Sequence, residues 1–171
     1  MRLIVLLTLL FVVAPRADVL AADPTCAYMD RLKRVWDATE PSTYETRTLR
    51  QLASQFQEGT VERPELATLD AVLAGFAKKV DRRTGGTRAA QPPAAARNVH
   101  RLGLEFLARV DETVRLSRRL VQEMRSATPD AALIERGRDR LQRLDREVRR
   151  LGGLFNSEVV RIRNTYRCGP P

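Results

Sequence analysis

The two cysteines of this 171-residue chain lie near its two ends, and they constrain the fold more than any other feature. Cys26 follows an apolar N-terminal stretch, and Cys168 stands three residues before the last. In an oxidising compartment, two such thiols in one domain pair with each other. The sequence therefore predicts a Cys26–Cys168 disulfide and a topology that brings both ends of the domain together. Pairing between two chains is the alternative.

The N-terminal 22 residues have the pattern of a secretory signal peptide. Residues 3–14 are apolar except for one Thr, a short positive start precedes them, and Ala21 or Ala22 supplies the small residue before the cleavage site. The apolar run is shorter than the roughly 20 residues of a membrane-spanning helix. We therefore expect residues 1–22 to be removed. This leaves 23–171 as a single domain, periplasmic or secreted, with no transmembrane segment.

The mature chain has helical patterning throughout. Apolar residues recur at three- and four-residue intervals, and no alternating run predicts a strand. Helices are predicted at residues 25–40, 42–58, 64–84, 95–127 and 130–166. Pro41 separates the first two, and Ser42 opens the second with a capping box to Glu45. Residues 85–96 are predicted as a flexible Gly/Pro/Ala connector inside the domain.

The last predicted helix has the most regular apolar pattern. One column repeats every seven residues and consists of Ile134, Leu141, Val148, Phe155 and Ile162. The first two helices together match the length of each of the last two. We therefore predict an all-α fold, namely an antiparallel four-helix up-down-up-down bundle. Its first arm is broken at Pro41, which gives five helices in all. The disulfide joins its N- and C-termini. The repeat also suits a coiled coil between chains. Because every helix has its own apolar face to bury, we expect a monomer.

The chain is strongly basic, with a net charge of +9 that removal of the leader lowers to +8. All but three of the 30 basic residues are arginines. The predicted face for an unknown protein or an anionic envelope polymer lies on the last helix and consists of Arg136, Arg140, Arg143 and Arg150. A solvated face, rich in Arg because the genome is rich in GC, is the alternative interpretation.

Residues that would indicate catalysis or metal binding do not converge in this sequence. His100 is the only histidine and has no partner at metal-ligand spacing. No nucleic-acid motif with interleaved aromatics is present, so no specific nucleic-acid partner is predicted. We predict no catalytic residue, metal or cofactor, and a non-enzymatic binding module. The alternative is a small enzyme or carrier that binds an anionic metabolite inside the bundle through core-facing arginines and Glu158. Gly137 and Glu158 interrupt the apolar core columns, and Glu158 indicates either a polar pocket near the disulfide or, more ordinarily, a side chain that snorkels to solvent or lies at a frayed helix end.

Overall fold

A computed structural model describes residues 23–45, 47–48 and 63–169, and these residues contain helices and no β-strand. We name the helices α1 (Pro24–Asp37), α2 (Arg63–Ala89), α3 (Arg97–Met124) and α4 (Ala131–Tyr166), with a 3-10 turn at Ala94–Ala96. The all-α prediction is confirmed for these residues. The predicted second helix, 42–58, lies largely outside them. None of the described helices is long and apolar enough to cross a membrane, and the predicted leader also lies outside the described residues.

Aspartates cap the first and last helices as their sequences require. The Asp23 carboxylate accepts a hydrogen bond from the Thr25 N–H at 2.7 Å, and Pro24 occupies the first helical position. At the start of α4, the Asp130 carboxylate accepts a hydrogen bond from the Leu133 N–H at 3.0 Å. Each cap satisfies an amide that the helix itself leaves without a partner, so both helix starts are set by local sequence.

Neighbouring helices run antiparallel. The start of α2 meets the end of α3, where Arg118 donates to Asp70 at 3.1 Å. The start of α3 lies against the last third of α4, where Gly103 faces the Phe155 ring. Helix α1 contacts both α2 and α4. Helix α1 has only 14 residues, whereas α3 has 28. Helix α1 therefore covers only part of the length of the longer helices.

Two clusters of buried side chains form part of the core of the described residues. The first lies beneath α1, close to the disulfide, and includes Met29, Leu32, Val99, Leu102, Phe155 and Ile162. The second joins α2 to the end of α3 and consists of Leu66, Leu69, Leu73 and Val121. The apolar faces predicted for these helices therefore bury against one another.

The seven-residue repeat of α4 is buried only in its second half. Phe155 and Ile162 are buried, whereas the three earlier members of the column are half-buried. In the first half of α4 the buried positions are Gly137 and Leu144. A Cβ on Gly137 would lie 3.0 Å from Leu120 Cγ and closer still to both of its methyl groups. Gly137 thus interrupts the apolar pattern because Leu120 of α3 fills the space of its missing side chain.

The predicted disulfide is present. It joins Cys26 and Cys168 across a sequence separation of 142 residues, with the two Cα atoms 5.2 Å apart. Arg163, which is only 7% exposed, adds a polar tie beside it. Its guanidinium donates to the Gly169 carbonyl at 2.6 Å and to Asp30 at 3.3 Å. The end of α4 is therefore held to α1 by a covalent bond and by a buried cation.

The structure corrects the predicted connector at residues 85–96. Helix α2 does not end at Thr84 but continues through two glycines to Ala89, and Thr87 is fully buried. Glycine is a weak helix former, so the sequence favoured a break here. A Cβ on Gly86 would lie 2.7 Å from Val35 of α1, so Gly86 instead permits close packing of the two helices. The other described helix ends agree with prediction to within three residues.

Candidate functional site

Three of the four arginines predicted as a binding face are exposed on α4. Arg136, Arg143 and Arg150 follow one another at seven-residue intervals, about 10 Å apart along the helix. None of them has an ion pair or hydrogen-bond partner among the described residues. Their side of α4 therefore carries positive charge that the rest of the described protein does not neutralise.

Arg140, the fourth predicted residue, has a different role. It donates to Glu112 of α3 at 2.6 Å, and Arg109 joins the same carboxylate at 2.7 Å and Glu147 of α4 at 3.0 Å. The hydrogen bond from Arg140, with the one from Arg109, holds the pKa of Glu112 below its ordinary value. Arg140 therefore belongs to a network that ties α3 to α4 and is not free for a partner.

Arg146 is a cation that the sequence interpretation missed. It is exposed, has no partner among the described residues, and lies three residues after Arg143 and four before Arg150. Residues at these spacings are neighbours on a helix surface, which is the signal that could have included it. One exposed acid, Asp139, lies between Arg136 and Arg143 in sequence and reduces the positive charge locally.

Helix α3 has several arginines with acidic partners. Four of its arginines pair with acids, as Arg101–Glu105 (2.6 Å), Arg109–Glu112 (2.7 Å), Arg115–Asp111 (2.7 Å) and Arg118–Asp70 (3.1 Å). Exposed pairs of this kind contribute about 0.2–1 kcal/mol each to stability and leave little net charge. The unpaired arginines of α4 share their helix with paired ones such as Arg149, whose partner is Asp145.

Glu158 does not open an internal pocket. Its side chain is 12% exposed. Both of its carboxylate oxygens accept hydrogen bonds from Arg161, at 2.7 Å each. These bonds and a further one from Asn98 lower the pKa of Glu158 to about 2. The polar residue in the core column is thus explained by partners on its own helix and on α3.

Glu45 is a second carboxylate with a strongly lowered pKa. It forms the predicted capping box with Ser42, accepting from the Ser42 N–H at 2.7 Å and donating its own N–H to the Ser42 hydroxyl at 3.2 Å. Lys79 of α2 donates to the same carboxylate. The hydrogen bond from Lys79 and those from Ser42 lower the pKa of Glu45 to about 2.

These two carboxylates predict a loss of stability in acid. Folding favours the ionised form of each, so its contribution is complete above the ordinary pKa of 4.5 and is lost as the pH falls towards 2. We expect the free energy of unfolding, measured by urea titration, to fall steadily across this range. Glu158→Gln should be less stable near neutral pH and show a shallower decline. An equally steep decline in both proteins would contradict the role of Glu158.

His100 has a structural setting. Its Nδ1 lies 3.0 Å from the hydroxyl of Tyr28, which is 5% exposed, and burial raises the pKa of Tyr28 to about 12. The described residues contain no group of three or more His, Cys, Asp or Glu side chains that could hold a metal ion. Within the described part of the chain, His100 is therefore placed as a partner of a buried tyrosine.

No family model, curated protein or solved structure matches the chain. Its own residues are therefore the basis for inferring a function. Unpaired guanidinium groups bind carboxylate, sulfate or phosphate through charge-assisted, often bidentate hydrogen bonds. A row of them on one helix is suited to a partner with several anionic groups.

Proposed function

We propose that this protein is a non-enzymatic, exported binding module that holds an anionic polymer on α4. The binding surface, called the basic face here, consists of Arg136, Arg143, Arg146 and Arg150. The observation that carries the proposal is that all four are exposed and have no ion-pair or hydrogen-bond partner among the described residues. Guanidinium groups are also weakly hydrated for cations, which lowers the cost of moving them from water to an anion.

The length of the basic face favours a polymer over a small anion. Arg136 and Arg150 are separated by about 21 Å along the helix at 1.5 Å per residue, so a single carboxylate or phosphate can reach only one or two of these cations. The basic face contains no aromatic side chain on which a base could stack, and single-stranded nucleic-acid sites depend on such stacking. An acidic polysaccharide or a similar polyanion of the cell envelope fits better.

The proposal includes export of the chain. The pattern of residues 1–22 favours cleavage after Ala21 or Ala22 and delivery to the periplasm or beyond. The Cys26–Cys168 bond supports this, because disulfides persist in oxidising compartments and are rare in the cytosol. Mass spectrometry of the mature protein, purified from the periplasm of an expressing bacterium, tests both the cleavage site and the bond.

We also propose the complete up-down-up-down four-helix arrangement as a monomer. Its support is that α1 lies against both α2 and α4, as the first arm of a closed antiparallel bundle must. Sedimentation at micromolar concentration tests the monomer, and a stable dimer would contradict it.

A charge-matched pair of variants tests the basic face. The face variant carries Arg136→Gln, Arg143→Gln and Arg150→Gln. The control carries Arg101→Gln, Arg115→Gln and Arg149→Gln, three exposed arginines that pair with acids. Both variants lose three positive charges. We expect the face variant to bind immobilised dextran sulfate at least tenfold more weakly than the parent at low salt. The control should lose much less.

Salt dependence gives a second measurement in the same experiment. Each arginine that neutralises a polymer charge releases a counterion, so the slope of log K against log salt should shrink by on the order of one for each arginine removed from the face. Uncharged dextran should bind neither protein. Equal losses in the two variants would show that net charge, rather than the basic face, governs binding, and the proposal would then be wrong.

A further inference from the structure

An apolar groove lies between α1 and α4, C-terminal to the basic face on α4. It has a volume of about 290 Å³. Its apolar lining comes from both helices and includes Met29, Leu32, Phe155 and Val159. This volume is just below the roughly 300–1,000 Å³ of small-molecule sites, which are mostly apolar and largely formed before the ligand arrives. The groove is independent of the proposed function, since it shares no residue with the basic face.

Trp36 gives the groove a rigid wall. Its indole stacks on Phe155 with ring centroids 4.5 Å apart, and its Nε1 donates to the Thr87 hydroxyl at 3.2 Å. The guanidinium of Arg83 lies 4.8 Å from the indole centroid, and the same group donates to Thr39 and to the Trp36 carbonyl. A wall held in this way loses little conformational entropy when a ligand binds.

The charges that line the groove are matched within the protein. Lys33 pairs with Asp37 at 2.7 Å, and Arg163 donates to Asp30 at 3.3 Å. An anionic or cationic ligand would have to displace one of these partners, whereas an uncharged ligand leaves them in place. The balance of charge therefore favours an uncharged apolar occupant.

The groove is also elongated. Its α4 residues run from Phe155 to Arg163, which is about 12 Å along the helix axis. We propose that the groove binds the alkyl chain of an uncharged amphiphile, with the chain lying between α1 and α4. A length of about 12 Å suits a chain of medium length better than a compact ring system.

The experiment uses Trp36 as the reporter, since it is the only tryptophan in the chain. Hexanol, octanol and decanol are titrated into the protein under tryptophan-selective excitation. Each additional buried methylene should lower the Kd about fourfold, until the chain fills the groove. A fluorescence change that does not saturate, or a Kd that does not depend on chain length, would overturn the proposal.

Two neighbouring valines provide the matched variants. Val159 lines the groove, whereas Val160 is 56% exposed and does not line it. Val159→Phe should occupy the groove and weaken decanol binding at least tenfold, with an unchanged melting temperature showing that the variant folds. Val160→Phe should bind as the parent does. Equal effects of the two substitutions would place the ligand elsewhere and overturn the assignment.

Changing the charge of the head group tests whether the groove prefers an uncharged ligand. Decanoate and decyltrimethylammonium carry hydrocarbon chains comparable to that of decanol and differ from it in charge. We expect both to bind more weakly than decanol at concentrations below micelle formation. Tighter binding of decanoate would overturn the uncharged assignment and indicate an anionic ligand that displaces Asp37 from Lys33. Binding of an amphipathic peptide but of none of the alcohols would identify a protein partner and also overturn the proposal.

Discussion

Replacing both cysteines, Cys26→Ser with Cys168→Ser, is expected to lower the free energy of unfolding by up to about 5 kcal/mol. The bond closes a loop with a sequence separation of 142 residues. Most of its contribution comes from restricting the unfolded chain, which the serine variant no longer does. The folded state keeps the Arg163 ties to Gly169 and Asp30. The far-ultraviolet circular dichroism of the variant should therefore stay helical, while its urea midpoint falls.

The reduced parent protein is the control for this experiment. It contains the original side chains without the covalent bond, so its urea midpoint should match that of the double-serine variant. A single cysteine substitution is less informative, because the remaining thiol can form dimers. An unchanged midpoint after removal of the bond would contradict the prediction. Covalent dimers in the oxidised parent would show instead that the cysteines pair between chains.

Gly137→Ala is expected to destabilise the protein by about 1–3 kcal/mol, the usual cost of overpacking a core. The added methyl would overlap the side chain of Leu120, which is 1% exposed and therefore has little free volume into which it can move. Alanine is the better helix former by about 1 kcal/mol, so the clash has to outweigh a gain in helix propensity. Urea titration followed by circular dichroism gives the change in the free energy of unfolding.

Gly153→Ala is the matched control on the same helix. A Cβ at Gly153 would meet no atom within 4 Å. With no clash, the higher helix propensity of alanine should stabilise the protein by about 0.5–1 kcal/mol. The two substitutions are chemically identical and should change stability in opposite directions. A change of the same sign in both would show that helix propensity, and not the contact with Leu120, decides the effect.

The sequence alone was sufficient for the features that depend on local or covalent chemistry. The all-helical class followed from apolar periodicity, and the start of α4 followed from Asp130, whose carboxylate caps its own first turn. The Cys26–Cys168 pairing followed from having two thiols and one domain. In each case the residues that determine the feature are close in the chain or have only one available partner, so no knowledge of the packing was needed.

The structure was needed wherever a residue has several competing partners. The sequence grouped Arg140 with the exposed arginines because it lies on the same side of α4. In the structure Arg140 instead donates a hydrogen bond to Glu112 of α3 and belongs to an interhelical network. For Glu158 the sequence left open a polar pocket or a snorkelling side chain, whereas the structure shows that Arg161 and Asn98 engage its carboxylate. A long, flexible charged side chain can reach acids on its own helix or on a neighbouring one, and only the distances between helices decide which pair forms.

The end of α2 and the groove also depend on contacts between residues that are distant in sequence. Local propensity predicted that α2 would end near Gly85, yet the helix continues because Gly86 allows Val35 of α1 to approach. Likewise, nothing in the sequence indicated that Trp36 would stack on Phe155, which lies more than one hundred residues away in the chain, and form one wall of a groove. The sequence by itself determined the helical class, the cap of the last helix and the bond between the ends of the domain. Tertiary packing decided which faces meet, which charges remain unpaired and where a cavity is left, because each depends on atoms that are distant in sequence.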